Sequence, residues 1–160
     1  MPVTSAGLLF YQPGTDGPIV LLAHMGGPFW ARREAGAWTV VKGEVGDGED
    51  AHAAAVREAG EELGLTVPEP VVPDVDLGEI RQRSGKRVRA WGRCWPAPGP
   101  DLSAVRSNTV RVEWPPRSGR HLEVPEIDRA AWFTPDEARR VLVRGQDVLV
   151  DRLEAALSRS

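Results

Sequence analysis

Residues 42–65 read KGEVGDGEDAHAAAVREAGEELGL, a glycine-studded acidic loop running into a helical segment. The spacing predicts a helix over 50–64, with Gly64 as its C-terminal cap. On either side the chain reads as short strands. Residues 6–11 and 19–24 flank the turn QPGTDGP, and 37–41 follow; 75–82 and 87–95 are joined across RSGK, with 109–114 and 130–133 beyond them. The segment PPRSGRHLEVPEIDR reads as a stiff loop. Two further helices are expected over 135–144, opened by Pro135, and over 148–158. One helix embedded among strands and two at the end fit an α/β or α+β sandwich. At 160 residues and 41% hydrophobic, the chain suits a single domain, 1–160, with a real core.

Composition narrows the function classes. A net charge of -3 gives no basic excess, so no long nucleic acid is expected as a partner. The lone Cys94 excludes an internal disulfide framework and fits a reducing cytoplasm. The N-terminus MPVTSAGLLFYQPG has no basic start, and its apolar run is too short for an export signal. No stretch approaches the roughly 20 apolar residues that span a bilayer. The expectation is a soluble cytoplasmic domain, with a homodimer as one possibility.

The expected helix carries a chemical anomaly. At about 100° per residue, Glu58, Glu61 and Glu62 share a face with Ala51, Ala54 and Ala55. His52, Val56, Ala59 and Leu63 form the opposite, core-facing stripe. A solvated face would place Lys or Arg four positions after Glu, whereas Glu58 is followed by Glu62. Acids in a last turn also oppose the helix dipole. A hard divalent cation resolves both conflicts, because Mg²⁺ takes carboxylate oxygens and keeps waters for substrate phosphates.

These residues resemble the Nudix box, G-x5-E-x7-R-E-U-x-E-E-x-G-U with U aliphatic. Gly43, Glu49, Arg57, Glu58, Ala59, Glu61, Glu62, Gly64 and Leu65 stand at its spacing, with Ala59 smaller than the usual aliphatic residue. GGPFWARREAGAWTVVKGE, EWPPRSGR and PEIDRAAWF are further similar to a MutT-like bacterial subgroup assigned broadly to nucleoside-triphosphate pyrophosphohydrolases. The resemblance implies an α/β/α sandwich around a mixed sheet and metal-dependent hydrolysis of a diphosphate linkage. It implies Glu58, Glu61 and Glu62 as Mg²⁺ or Mn²⁺ ligands, joined by a carbonyl at Gly43 or Lys42. It also implies that Arg57 orients a carboxylate, with Glu49 as partner, so Gly43, Glu49 and Gly64 shape the motif. A carboxylate six residues before an aromatic often completes such sites as ligand or general base. Glu126 and Trp132 have that spacing, with Glu123 and Glu113 in reserve and a plain surface acid as the alternative.

Substrate contacts are expected from several places. Lys42 stands in VKG, where many relatives that handle diadenosine or inositol polyphosphates have a phosphate-binding PKG lysine. Period-two reading of KRVRAWGRCW puts Arg87, Arg89, Trp91, Arg93 and Trp95 on one face, suited to a polyphosphate carrying a base or to plain solvent. Arg117 and Arg120 could reach a phosphate from their loop, and Phe29, Trp30 and Trp38 could stack a base or pack the core. His24 reads as structural, while His121, near Glu126, could position a water. The expected activity is cleavage of a nucleoside triphosphate, dinucleoside polyphosphate or nucleotide sugar. Two alternatives stand beside it: a non-catalytic nucleotide sensor, and a prenyl-diphosphate isomerase that would need Cys94 near the metal.

Overall fold

The computed structural model describes residues 4–159. Met1, Pro2 and Val3, which open the stretch read above for an export signal, lie outside the described residues. In chain order the elements are β1 (Thr4–Gln12), β2 (Ile19–Met25), β3 (Trp38–Thr39), β4 (Val41–Glu44), α1 (Ala51–Leu63), β5 (Val75–Arg81), β6 (Arg87–Cys94), β7 (Thr109–Glu113), β8 (His121–Pro125), β9 (Ile127–Phe133), α2 (Pro135–Val141) and α3 (Asp147–Ser158). Among the described residues no helix is long and apolar enough to cross a membrane.

The central sheet is mixed, in the order β3-β2-β1-β6-β5, with β4 added to β1 and β9 to β2. β1 pairs in parallel with β6 over its whole length, from Thr4↔Arg87 to Tyr11↔Cys94. Its other edge is shared, with β4 taking Ser5 to Leu8 and β2 taking Tyr11 and Gln12. Helices cover both faces, so β1 is buried almost end to end rather than alternately. Ala6, Leu8 and Phe10 pack with Ala54, Ala55, Ala59 and Leu63 of α1, while Leu9, Tyr11, Val40 and Ala90 pack with Leu149, Val150 and Leu153 of α3. This is the expected α/β/α sandwich with a mixed sheet.

Four local expectations change. Residues 37–41 are not one strand: the Val40 N–H donates to Gln146 Oε1 at 2.9 Å, and this interruption separates β3 on β2 from β4 on β1. The supposed loop before Glu126 contains β8, antiparallel to β7 from Thr109↔Pro125 to Glu113↔His121. That ribbon stands apart from the main sheet and is largely exposed, so its apolar alternation is too weak to stand out from the flanking Pro and Gly residues. On α1 the buried stripe is Ala54, Ala55, Ala59 and Leu63, not the stripe through His52 and Val56. Small alanines let the helix lie close to the sheet. Fourth, β6 has no wide solvated face: Trp91 is 8% exposed and Arg93 5%, because β6 lies between β1 and β5 beneath both helix layers.

Candidate active site

α1 is fixed at both ends. Asp50 caps it by accepting from the Ala53 N–H at 3.0 Å. At the other end Gly64 takes φ 67°, where a side chain would be strained and would also strike the Arg106 carbonyl. The Arg106 N–H donates to the Leu63 carbonyl at 2.8 Å, and Asn108 accepts from the Glu126 N–H at 2.9 Å. Residues 106–108 thus tie the last turn of α1 to Glu126, at the junction of β8 and β9. The Glu126 carbonyl in turn accepts from the Gly26 N–H at 3.0 Å.

The acidic loop is organised by one guanidinium. Arg57 donates to Glu49 through Nε at 2.8 Å and Nη2 at 2.9 Å, and to the Glu44 carbonyl at 3.2 Å. Its Nη1 donates to Glu58 Oε1 at 2.9 Å and Glu61 Oε2 at 3.1 Å. The hydrogen bonds from Arg57, with another from the Gly46 N–H, hold the Glu49 carboxyl down to about 2. The same pairing raises Arg57 further above its already high value. Gly43 must lack a side chain, because an added Cβ would collide with the Glu58 carboxylate. The helix face and the β4 backbone are pressed together at that point.

The result is a cleft of about 400 Å³ lined by Ser5, Lys42, Gly43, Glu44, Glu58, Glu61, Glu62, Lys86, Asn108 and Glu126. Burial, reinforced by repulsion from Glu126 and Glu58, lifts the Glu62 carboxyl to about 8, although Lys42 and its backbone N–H pull the other way. Burial also lowers Lys42, helped by Lys86 and opposed by Glu62 and Glu126. A second cleft of about 320 Å³ shares Lys42, Glu62 and Glu126, and adds Met25, Trp30, Gln82 and Gln146 among its walls. Among the described residues no three His, Cys, Asp or Glu side chains stand together as a finished ion cage, and Arg57 engages two of the candidate ligands. The donor set nevertheless fits a hard divalent cation: several carboxylates crowd beside a bare backbone at Gly43, and the burial and repulsion that raise Glu62 are what a bound cation would relieve.

The structure therefore brings Glu58, Glu61, Glu62, Glu126, Gly43 and Lys42 together, with Arg57 and Glu49 bracing them. None of Arg87, Arg89, Trp91 or Arg117 lines either cleft. Arg89 pairs with Asp76 and lies over the Trp91 ring, which His52 stacks on at 4.6 Å. Arg87 is 4.0 Å from Glu79, and the Arg117 N–H donates to Glu113. Trp38 is core, whereas Trp30 faces the second cleft. His24 is fully buried, its ring nitrogens against Asp128 and the Arg33 carbonyl. Cys94 lines a separate apolar cavity with Tyr11, outside both clefts. Ser5, Lys86 and Asn108 were not anticipated: they come from three distant segments that share no pattern.

A sequence profile of the family described as "NUDIX domain" matches residues 1–153. Among solved structures the chain is similar to an Ap4A hydrolase from C. elegans in a binary complex, at 20% identity and TM-score 0.64, covering 99% of both chains. It is also similar to a mutT/nudix family protein from Listeria innocua, at 18% identity and TM-score 0.61, covering 99% of this chain and 96% of that one. A third similarity is to the C-terminal domain of mouse MUTYH, solved in complex with human PCNA, at 18% identity and TM-score 0.58, covering 100% and 92%. No curated protein matches the chain.

Proposed function

Since the chain belongs to the NUDIX family, we propose that it is a metal-dependent pyrophosphohydrolase that cleaves a diphosphate linkage in a small nucleotide at the acidic cleft. The substrate class is a nucleoside triphosphate, a dinucleoside polyphosphate or a nucleotide sugar. The carrying observation is that the carboxylates of α1, Glu126 from a distant strand junction, and Lys42 line one cleft.

Glu58, Glu61 and Glu62, with the Gly43 carbonyl, would hold Mg²⁺ or Mn²⁺. When bound, the cation acidifies a water and neutralises phosphoryl charge. Arg57 keeps Glu58 and Glu61 oriented from one side while Glu49 holds the guanidinium in place. Glu126 is assigned as general base, accepting the proton of the attacking water. Lys42, at the border of the two clefts, holds the leaving phosphates, and the nucleoside enters the second cleft against Trp30.

One observation favours a second reading. Arg57 already donates hydrogen bonds to Glu58 and Glu61, two of the carboxylates a cation would need, so a nucleotide binder without turnover is the alternative. The deciding experiment incubates the protein with Mg²⁺ and a panel of the three substrate classes, with Glu62→Gln and a chelator as controls. Cleavage that disappears in both controls supports the hydrolase. No cleavage, together with a nucleotide-dependent rise in melting temperature, establishes the binder instead.

A further inference from the structure

The lining of the acidic cleft combines two chemically different sets of groups. The α1 set offers acceptors, the oxygens of Glu58, Glu61 and Glu62. The set made by Ser5, Lys86 and Asn108 carries donors: a hydroxyl, an ammonium and a side-chain amide. Ser5 is the informative member. It is 1% exposed, and its Oγ is the one buried side-chain polar atom among the described residues without a hydrogen-bond partner. Strand pairing surrounds its backbone, with Glu44 on one side and Val88 on the other, so only the hydroxyl is left over. Leaving a buried hydroxyl unmatched destabilises a folded chain, and alanine would fit this interior position without that cost. Ser5 shares the cleft lining with Lys42 and Lys86, so its buried hydroxyl without a protein partner suits a ligand there that accepts hydrogen bonds and carries negative charge.

We infer that Ser5, Lys86 and Asn108 form a phosphoryl-binding set, in which the Ser5 hydroxyl donates to a non-bridging oxygen of the substrate's polyphosphate. The inference rests on reading the cleft as a phosphoanhydride site. It deepens that reading by naming residues of this chain, outside the α1 carboxylates, that would meet the substrate's polyphosphate. The set positions the substrate and transfers no proton.

The test uses inorganic pyrophosphate as probe, in Mg²⁺, titrated by calorimetry into the unaltered protein, Ser5→Ala and Lys86→Met. Each variant is expected to bind pyrophosphate about tenfold more weakly, the loss of one hydrogen bond to a charged partner. Mn²⁺ affinity, read by electron paramagnetic resonance without pyrophosphate, should stay within about twofold of the unaltered protein. Metal-free Ser5→Ala should melt at or above the temperature of the unaltered protein, an outcome opposite to that of a purely structural hydroxyl. Unchanged pyrophosphate affinity in both variants, or no pyrophosphate binding by the unaltered protein, overturns the inference. So does a parallel loss of Mn²⁺ affinity, which would place the hydroxyl in the metal's surroundings. Turnover measured alongside separates the two claims. Cleavage that is insensitive to Ser5→Ala and Lys86→Met, with unchanged pyrophosphate affinity, removes the phosphoryl-binding set and keeps the hydrolase. Weakened pyrophosphate binding in a protein that cleaves nothing keeps the set and removes the hydrolase.

Discussion

Two charged clusters sit at opposite ends of α1, and they are built on opposite principles. At the N-terminal end Asp74, its side chain 3% exposed, accepts from Arg93 Nη2 at 2.6 Å, from Arg93 Nε at 2.9 Å and from His52 Nε2 at 2.7 Å. Arg93 also reaches the Pro68 carbonyl, and His52 stacks on Trp91. Every charge there is answered. At the C-terminal end Glu62 faces Glu126 and Glu58, Lys42 is partly desolvated, and Ser5 Oγ has no partner. A closed network fixes the sheet to the helix, while an open one stores unmet hydrogen-bonding capacity for something that is not protein. The same helix therefore has a structural end and a chemical end.

The largest expected effect lies at the open end. Glu62→Gln should lower turnover on the order of a thousandfold, consistent with losing several kcal/mol of charge stabilisation, while leaving the fold intact. Steady-state kinetics with Mg²⁺ beside a thermal melt would check it. A comparable fall in melting temperature would show that the open end is structural after all.

At the closed end the order reverses. Asp74→Ala leaves the Arg93 guanidinium buried without its partner, which should cost about 3–5 kcal/mol of stability. Replacing both, as Asp74→Leu with Arg93→Met, should recover much of that loss, because no buried charge then remains. Urea unfolding of the single and double variants measures both values. Full activity per folded molecule is expected in each.

The two ends also titrate with opposite sign. Glu62 is raised from 4.5 to about 8, so the metal-free fold binds a proton there that the unfolded chain has already released. Its contribution to stability is complete below about 4.5 and is lost as pH climbs through 8. Burial works against the charged form of Asp74, but hydrogen bonds from Arg93 and His52 outweigh it and depress the carboxyl below 3.8. That contribution is present above 3.8 and is lost as pH falls through the depressed value. Melting temperatures across this range in chelator should fall at both extremes. Glu62→Gln should flatten only the alkaline side, and Asp74→Asn only the acid side.

Much of this contrast is legible in the sequence at the open end and little at the closed one. The box spacing carries α1, the bare Gly43, the αL turn at Gly64 and the Glu49–Arg57 brace, because all of them are local in sequence and each demands a particular residue type. Glu126 needed a long-range guess, and the structure lines the cleft with it. Ser5, Lys86 and Asn108 had no such handle, since strand pairing and the 106–108 strap assemble them from separate segments. The closed end was hidden for another reason. Alternation in KRVRAWGRCW suggests one wet face only if one face is wet, and β6 has neighbours on both edges and helices above and below. Arg93 and Trp91 are therefore interior residues carrying surface-like letters.

Arg89 is where the comparison is sharpest and the expected effect smallest. Its sequence context places it at the substrate, whereas its geometry belongs to the closed end: both guanidinium nitrogens hold Asp76, and the charge lies 4.6 Å from the Trp91 ring centre. Those hydrogen bonds, with one from the Gly78 N–H, hold the Asp76 carboxyl to about 2. Asp76 is 60% exposed, so screening leaves the pair worth no more than about 1 kcal/mol. Arg89→Gln should thus shift stability only slightly and leave KM within about twofold, against the roughly tenfold rise expected for Lys42→Gln from a lost charge-assisted contact. A KM for Arg89→Gln that rises as far as that of Lys42→Gln would mean that Arg89 leaves Asp76 when substrate binds. The boundary between the paired end and the open end would then move during the reaction.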